Sequence, residues 1–346
     1  TLQDTTGHII AIITIDMLGF LKSDTDTLRR HIGDANIDVF VLSSHNHSSP
    51  DLIGIYGPTM TRVPLVSGRD EAYIDLTIRN ISRAVRESIK ALAPVTVTFA
   101  RAQPHITVSD VEEPDNDFDV WRFESTESLD TVAVLVVAGC HPTTLIKSST
   151  LMTSDFPGAM RDILDTELHT KTLFINSAPG GVTYDPVSRK YSEFERRADV
   201  GERFARVALA TLAFSRPITP APFQVHRKEI ELPITNPLFL LGGLLGYIPN
   251  DGWFSRTTEI NTLTIGDITI VTTPGELFPS LSREIKAMNP GVVEIWSLAN
   301  DEIGYILRKD DFYKPAFRYW RGVSLGPETG PLIIRHTHDI LTAAHQ

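Results

Sequence analysis

Two histidines separated by a single residue, His45 and His47, directly follow an apolar run at residues 37–42. The run is rich in branched side chains, which predicts a strand that is buried on both faces. Both histidines therefore fall just past the carboxyl end of a strand, where open α/β sheets bind ligands, and imidazole is the commonest protein ligand of zinc. A polar turn with solvated histidines is the alternative, because this motif alone has low specificity.

Three further side chains that could do chemistry follow other predicted strands. They are His141 after residues 131–137, Glu276 after residues 268–272, and Tyr305 in the loop after residues 292–296. Two imidazoles and one carboxylate that leave a coordination position open form a common catalytic zinc shell. A histidine and a carboxylate acting as an acid/base pair without a metal would use the same residue types. The spacing favours zinc and leaves the metal-free alternative open.

Helices and strands alternate over most of the chain. Helical periodicity covers residues 25–32, 74–92 and 193–212, and Ser154 is expected to cap a further helix with its apolar face at residues 160–168. Strands are predicted at 8–15, 37–42, 95–100, 119–123, 131–137 and 172–175, and then at 223–232, 259–265, 268–272 and 292–296. The pattern predicts an α/β fold with a mixed, largely parallel sheet covered by helices and a strand-rich second half.

Two glycine-containing segments each allow two interpretations. Gly180 and Gly181 permit either a close approach of backbone to substrate or a turn with positive φ. Residues 233–254 are apolar but interrupted by glycine and proline, so they are too broken for a core helix. We expect either a hairpin folded into the core or an exposed apolar lip that receives an aliphatic substrate.

Composition limits the classes of partner. The 346 residues are 42% hydrophobic and favour one large domain, residues 1–346, while the net charge of −11 argues against a general affinity for nucleic acid. Cys140 is the single cysteine, so an intrachain disulfide and a cysteine-based metal cluster are excluded. Apolar runs stay well below the roughly 20 residues of a membrane span. Oligomeric state and compartment stay open.

Four motifs, in order, carry a family resemblance: SSHNHSSPD, AGCHPTTL, TTPGELF and LANDEIGYI. Their succession resembles the N-terminal domain of neutral, non-lysosomal ceramidases and their bacterial relatives. The resemblance implies that zinc is bound by His45, His141, Glu276 and Tyr305. It also implies that His47 and Tyr319 line the reaction centre, and that the protein is secreted or periplasmic. The family's first strand is expected before Thr1, and its C-terminal immunoglobulin-like domain is not expected within this sequence.

The sequence departs from the ceramidase pattern at two places. Thr183 stands where the family has a serine, and the family's arginine between the two histidine motifs has no counterpart at residues 106–119. The function that the resemblance implies is zinc-dependent hydrolysis of an amide bond in an N-acyl, lipid-like small molecule by zinc-activated water. Thr183 would then only position the substrate or give it a hydrogen bond. The alternative is a non-catalytic scaffold acting as a binding or assembly module.

Other polar residues near these motifs have plainer interpretations. Asn300, Asp301 and Glu302 could orient a ligand, although solvation of a loop explains them nearly as well. His336 and His338 repeat the spacing of His45 and His47, but they lie in a predicted helix. Residues two apart on a helix point in different directions, so we expect these two at the surface.

Overall fold

The computed structural model describes residues 1–57, 66–145, 149–185, 190–246 and 254–344, and the backbone of two short strands between 58 and 65. The strands are β1 Leu2–Gln3, β2 Ile9–Ile15, β3 Ile37–Ser43, β4 Thr59–Met60, β5 Val63–Pro64, β6 Val95–Ala102, β7 Thr107–Ser109, β8 Phe118–Ser125, β9 Thr131–Ala138, β10 Lys171–Asn176, β11 Val182–Tyr184, β12 Arg216–Pro217, β13 Gln224–Pro233, β14 Ser255–Ile265, β15 Ile268–Thr272, β16 Glu276–Leu277, β17 Val292–Trp296 and β18 Tyr305–Ile306. The helices are α1 Lys22–Ile32, α2 Glu71–Lys90, α3 Asp155–Leu168, α4 Glu193–Leu212, α5 Pro237–Leu244, α6 Pro279–Lys286, α7 Lys309–Phe312, α8 Arg318–Arg321 and α9 Thr329–Ala344, with a 3-10 turn at Pro315–Phe317.

Three sheets enclose one shared core, and helices cover their outer faces. The sheet orders are β1-β2-β3, β10-β9-β8-β6-β12 and β13-β14-β15-β17. Phe40, Trp121 and Trp296, one from each sheet, belong to a single buried apolar cluster. Apolar clusters on the outer sides hold α1 and α2 on the first sheet, α3 and α4 on the second, and α6 and α9 on the third. The predicted α/β class is confirmed, with the sheets covered on both sides.

The expectation of a largely parallel sheet is corrected by the strand pairing. Parallel pairs occur where a helix separates the strands, as in β2-α1-β3, β9-α3-β10 and β15-α6-β17. The pairs β6–β8, β8–β9, β13–β14 and β14–β15 are antiparallel. Residues 126–130 join β8 to β9 and are too few to lead into a parallel strand, which needs a crossover of a dozen or more residues. The two residues Gly266 and Asp267 join β14 to β15, and this Gly-Asp pair is a hairpin signal that the sequence already carried.

The predicted bounds of the helices agree with the structure better than the predicted cap of α3 does. Helix α4 spans Glu193–Leu212 as predicted, and α1 ends at Gly33 with φ of 73°. Ser154 does precede α3, but its side chain makes no capping hydrogen bond. The neighbouring Asp155 anchors this end instead, since its carboxylate accepts N–H and O–H from Thr144 and N–H from Phe156.

The apolar segment 233–254 contains a short helix on the surface. Helix α5 begins after Asn236, whose side chain accepts the N–H of Leu238. Phe239 and Leu240 pack against the core of the third sheet, while Leu238 and Leu244 are exposed. Of the two predictions, the exposed apolar lip agrees with the described part. Residues 247–253 lie outside the described residues.

Asn176 joins the carboxyl ends of strands from all three sheets. Its amide nitrogen donates to the carbonyls of Ser44 and Cys140, and its side-chain oxygen accepts the N–H of Cys140. Its backbone carbonyl accepts the N–H of Ser297. Since Ser44, Cys140 and Ser297 follow β3, β9 and β17, one buried residue holds the three strand ends together through its side chain and its backbone carbonyl. The side chains beyond these strand ends are therefore brought to one place.

Candidate functional site

His45 is buried directly after β3 and its ring orientation is fixed from behind. Nδ1 lies 2.8 Å from the carbonyl oxygen of Leu18, and because a carbonyl can only accept, Nδ1 carries the proton and donates. The Nε2 atom faces Glu276 Oε2 at 3.2 Å, in an alignment that forms no hydrogen bond with any described residue. The backbone of His45 has φ of 67°, which is uncommon for a residue with a side chain. The fold thus holds His45 in an uncommon backbone conformation that directs Nε2 into the site.

His141 is held in the same manner by a different strand. Its Nδ1 lies 2.9 Å from the carbonyl oxygen of Val182 in β11, which also accepts the backbone N–H of His141. Nε2 lies 2.8 Å from Glu276 Oε2 and 3.2 Å from the hydroxyl of Tyr305. Both imidazoles therefore use Nδ1 for a backbone carbonyl and present Nε2 to the same carboxylate. This arrangement of an outer partner on the second ring nitrogen is characteristic of histidines that bind metals.

Glu276 and Tyr305 are contributed by the short parallel pair β16–β18. Both side chains are buried, and they come from loops that follow the third sheet. Together with the two imidazoles they form a cluster, which we call the four-residue cluster: His45, His141, Glu276 and Tyr305. The measured separations within it are 2.8 to 3.2 Å.

The charges in the four-residue cluster are strongly coupled. Burial of His45 would lower the pKa of its imidazole, yet the negative charge of Glu276 outweighs it and raises the pKa to about 9. Burial of Glu276 would raise the pKa of its carboxyl, but the two imidazoles hold it well below its usual range. The pKa of Tyr305 is raised by burial and by the charge of Glu276. The cluster is thus a buried carboxylate held by positive charge.

The donor set fits a tetrahedral metal ion. With bonds of about 2.0–2.1 Å to nitrogen and oxygen, the ligand atoms of tetrahedral zinc lie about 3.3 Å apart, close to the separations within the cluster. His45 Nε2, buried and without a well-aligned hydrogen bond, is the orphaned atom that a metal would satisfy. A second grouping shares two of these residues, since ligand atoms of His45, His47 and His141 lie within 4.8 Å of one another. His47 is exposed, so it stands on the open side of the site.

Of the three predicted catalytic residues, His47 and Tyr319 lie beside the four-residue cluster. Thr183 is connected to it only through the neighbouring residue in β11. The ring of His47 is 4.9 Å from that of His45, and the ring of Tyr319 is 6.3 Å from that of Tyr305. Thr183 is half-buried in β11, next to the Val182 carbonyl that orients His141. Side chains alternate along a strand, so Thr183 points away from the buried face of Val182 and Tyr184.

Sequence reasoning missed the groups that orient the cluster. The carbonyls of Leu18 and Val182 are backbone atoms and leave no trace in residue type. Asn176 was not predicted, whereas Glu302 was predicted as one of the residues that could orient a ligand. Glu302 accepts the N–H of Gly304 through Oε1, while its buried Oε2 has no hydrogen-bond partner among the described residues. Burial and the charge of Glu276 raise the pKa of Glu302 well above its ordinary value. The interpretation of Glu302 as a solvated loop residue is therefore wrong.

Asn300 and Asp301 are likewise buried and structural. The side-chain oxygen of Asn300 accepts the N–H of Val41 in β3, and its amide donates to Glu259. Asp301 forms a buried ion pair with Arg256. These contacts fix the loop that leads to Tyr305 against the strand that leads to His45. His338, by contrast, is exposed on α9, as predicted, whereas His336 is partly buried and its Nδ1 lies 3.6 Å from a carboxylate oxygen of Asp339.

Solved structures with the same fold are ceramidases. A neutral ceramidase from Pseudomonas aeruginosa superposes with a TM-score of 0.80 at 14% identity, over 96% of this chain and 66% of that one. A ceramidase complexed with C2 superposes with a TM-score of 0.84 at 14% identity, over 99% of this chain and 68% of that one. No protein family and no curated protein matches the sequence. The chain has a ceramidase-like fold and spans about two thirds of the length of these proteins.

Helices long and apolar enough to cross a bilayer are not found among the described residues.

Proposed function

We propose that this chain is a single-domain, zinc-dependent hydrolase that cleaves the amide bond of an N-acyl, lipid-like small molecule. The observation that carries the proposal is the four-residue cluster. Its donors come from four separate segments of the chain, and both imidazoles are locked on backbone carbonyls with Nε2 facing inward. The ceramidase-like fold supports the choice of an amide as the scissile bond.

The roles of the residues follow from their positions. Zinc, held by His45, His141, Glu276 and Tyr305, would when bound polarise the scissile carbonyl and make water ionise near neutral pH. His47, on the exposed side next to His45, takes a proton from the attacking water and returns it to the leaving amine. The hydroxyl of Tyr319 donates a hydrogen bond to the oxyanion that develops on the substrate. Thr183 positions substrate and does not attack it.

A non-catalytic scaffold is the competing proposal. The missing arginine and the threonine in place of serine favour it, whereas the buried cluster opposes it. Burying a carboxylate among two imidazoles costs desolvation energy that an apolar core would not incur, so a scaffold without a metal has no physical reason to keep it.

Metal analysis and activity together test the proposal. We expect about one zinc per chain by mass spectrometry, loss of turnover after chelation and recovery on adding zinc. His45→Ala should lose both zinc and turnover, whereas His338→Ala, which removes an exposed histidine from α9, should lose neither. Acyl amides of graded chain length would identify the substrate class. Full turnover by a metal-free preparation would refute the proposal, and zinc without turnover on any acyl amide would favour the scaffold.

The location in the cell is a separate proposal. The similarity to ceramidases favours a secreted or periplasmic protein, and fractionation of cells that express the native gene would test it.

A further inference from the structure

The exposed side of α5 carries several large apolar side chains. Leu238, Leu241 and Leu245 recur at helical spacing, so they share one face, and Leu244 adjoins them on the helix. Phe254 lies near the start of α5, where its carbonyl accepts the N–H of Ile234. Leu238 is 61% exposed, Leu244 62% and Phe254 70%. Single exposed leucines are common, but contiguous apolar groups mark a surface with a partner. We call these five side chains the apolar face.

The apolar face is attached to the entrance of the candidate site. Asn236, which caps α5, donates to the carbonyls of Arg321, Gly322 and Ser324, directly after α8. Helix α8 carries Tyr319. On the inner side of α5, Phe239 packs against Gly304, where a Cβ would lie 3.5 Å from its ring. The helix that presents the leucines is therefore fixed to both loops that bring tyrosines to the site.

A basic segment borders the apolar face. Residues 308–321 contain five basic side chains in a chain whose net charge is −11, and three of them, Arg308, Lys309 and Lys314, form ion pairs with Glu284, Glu328 and Asp311. Arg318 is exposed and forms no ion pair with any described residue. Tyr313 and Tyr319 in the same segment are also largely exposed. Leucines, aromatic rings and cationic side chains on one surface are the composition of segments that lie in the interface of a lipid bilayer.

We propose that the apolar face and residues 308–321 form a peripheral membrane-binding surface, which seats the entrance of the site on a lipid bilayer. The leucines enter the acyl-chain boundary, and Arg318 reaches the lipid phosphates. Charge argues against a second copy of the chain as the occupant, because a symmetric pair would bring two basic segments together. The inference stands apart from the proposed hydrolysis, since vesicle binding needs no turnover.

Vesicle sedimentation tests the surface. The chain should sediment with phosphatidylcholine vesicles, which contain no amide bond to cleave, and more strongly when phosphatidylglycerol is added. Leu241→Ser should weaken the partition coefficient about tenfold, because one inserted leucine contributes roughly that factor. Leu129→Ser is the matched control: Leu129 is exposed in the turn between β8 and β9, and its loss should leave binding unchanged. Arg318→Gln should remove the preference for phosphatidylglycerol, while Arg206→Gln should keep it.

The alternative occupants give different results. If the apolar face is only a pocket for one acyl chain, Leu241→Ser would weaken hydrolysis of long-chain amides while vesicle binding stays as in the wild type. If it joins two copies, sedimentation equilibrium would show a dimer that Leu241→Ser dissociates, with no vesicle binding. Either result, or no binding at all by the wild type, overturns the inference. Turnover of a short, water-soluble amide by both variants would show that the catalytic site is intact.

Discussion

Glu276 and Tyr305 are register partners across the two-residue parallel pair β16–β18. The N–H of Glu276 donates to the carbonyl of Gly304, and the N–H of Tyr305 donates to the carbonyl of Val323. Residues in register on parallel strands direct their side chains to the same face. The carboxylate and the phenol therefore enter the site together, held by backbone hydrogen bonds rather than by loop packing alone.

Removing the Tyr305 hydroxyl should weaken zinc binding while the fold is kept. Tyr305→Phe retains the ring and deletes the one atom that lies 3.2 Å from His141 Nε2. We expect the zinc dissociation constant to rise at least about tenfold, as for a lost metal contact, with little change in the melting temperature. Tyr313→Phe, at an exposed ring, is the control and should change neither quantity. Competition with a chromogenic chelator measures the affinity, and an unchanged value for Tyr305→Phe would remove this tyrosine from the ligand set.

Thr183 should be dispensable for bond cleavage. A threonine nucleophile would need an adjacent base and a freely accessible hydroxyl, whereas its branched carbon crowds the attack. Thr183→Ala should keep measurable turnover, and its loss should be far smaller than that of Glu276→Ala. Steady-state kinetics of both variants in the same zinc-containing buffer, with the zinc bound by each variant measured, makes the comparison. Covalent labelling of Thr183 by a trapped substrate would show that the threonine is the nucleophile.

A side chain at Gly304 should destabilise the protein for two reasons, a positive φ and a steric overlap. Gly246 also has a positive φ and serves as the comparison without the overlap. Both have positive φ, 82° and 75° respectively. A Cβ at Gly304 would overlap the carbonyl oxygen of Val323, while a Cβ at Gly246 would meet no atom of the described residues within 4 Å. Gly246→Ala should therefore cost only the backbone term, about 1 kcal/mol of unfolding free energy, and Gly304→Ala about 3 kcal/mol more. Urea denaturation followed by tryptophan fluorescence measures both, and equal losses would contradict the overlap.

Glu294 should make stability depend on pH. It is buried in the core, accepts N–H from the indoles of Trp121 and Trp296, and its pKa is raised well above the ordinary value by burial and by the charge of Asp119. An unfolded glutamate titrates at about pH 4.3, so above that pH the native state holds more protons than the unfolded chain. The unfolding free energy contributed by Glu294 is therefore lost as pH rises toward the raised pKa.

Replacing the carboxyl tests this dependence. Glu294→Leu removes the titrating group, so the slope of unfolding free energy against pH should become less negative between about pH 5 and about pH 8. The variant will be less stable at every pH because two buried indole N–H groups lose their acceptor, and the slope is therefore the informative quantity. Glu284→Gln, at a partly exposed glutamate, should leave the slope unchanged.

The helices and the strand ends were predictable because they depend on local pattern. Helix α4 repeats its buried residues at helical spacing from Val200 to Thr211, and the strand before His45 is apolar from Val39 to Leu42. Strand partners depend on which distant segments meet, and that information is not local. The hairpin at Gly266 is the exception, because a Gly-Asp pair between two strands is a local signal of antiparallel pairing.

In the candidate site, too, local features could be predicted and contacts between distant segments could not. The residue types of His45, His141 and Glu276, each after a strand, could be found from sequence. Their mutual geometry could not, because it depends on the Leu18 and Val182 carbonyls and on Asn176, which lie far from them along the chain. The buried state of Glu302 was also invisible, since its sequence context is a run of polar residues.

The spread of the four-residue cluster along the chain constrains the order of events during synthesis. A ribosome releases His45 first, His141 about a hundred residues later, and Tyr305 only near the end of the sequence. The nascent chain cannot close the cluster until Val323, whose carbonyl fixes the backbone of Tyr305, has left the exit tunnel. Until then His45, His141 and Glu276 lack the hydroxyl of Tyr305. Under the proposed function, a metal can be held by all four residues only after Val323 has emerged, and translation products that stop before residue 305 would be released without a complete binding site.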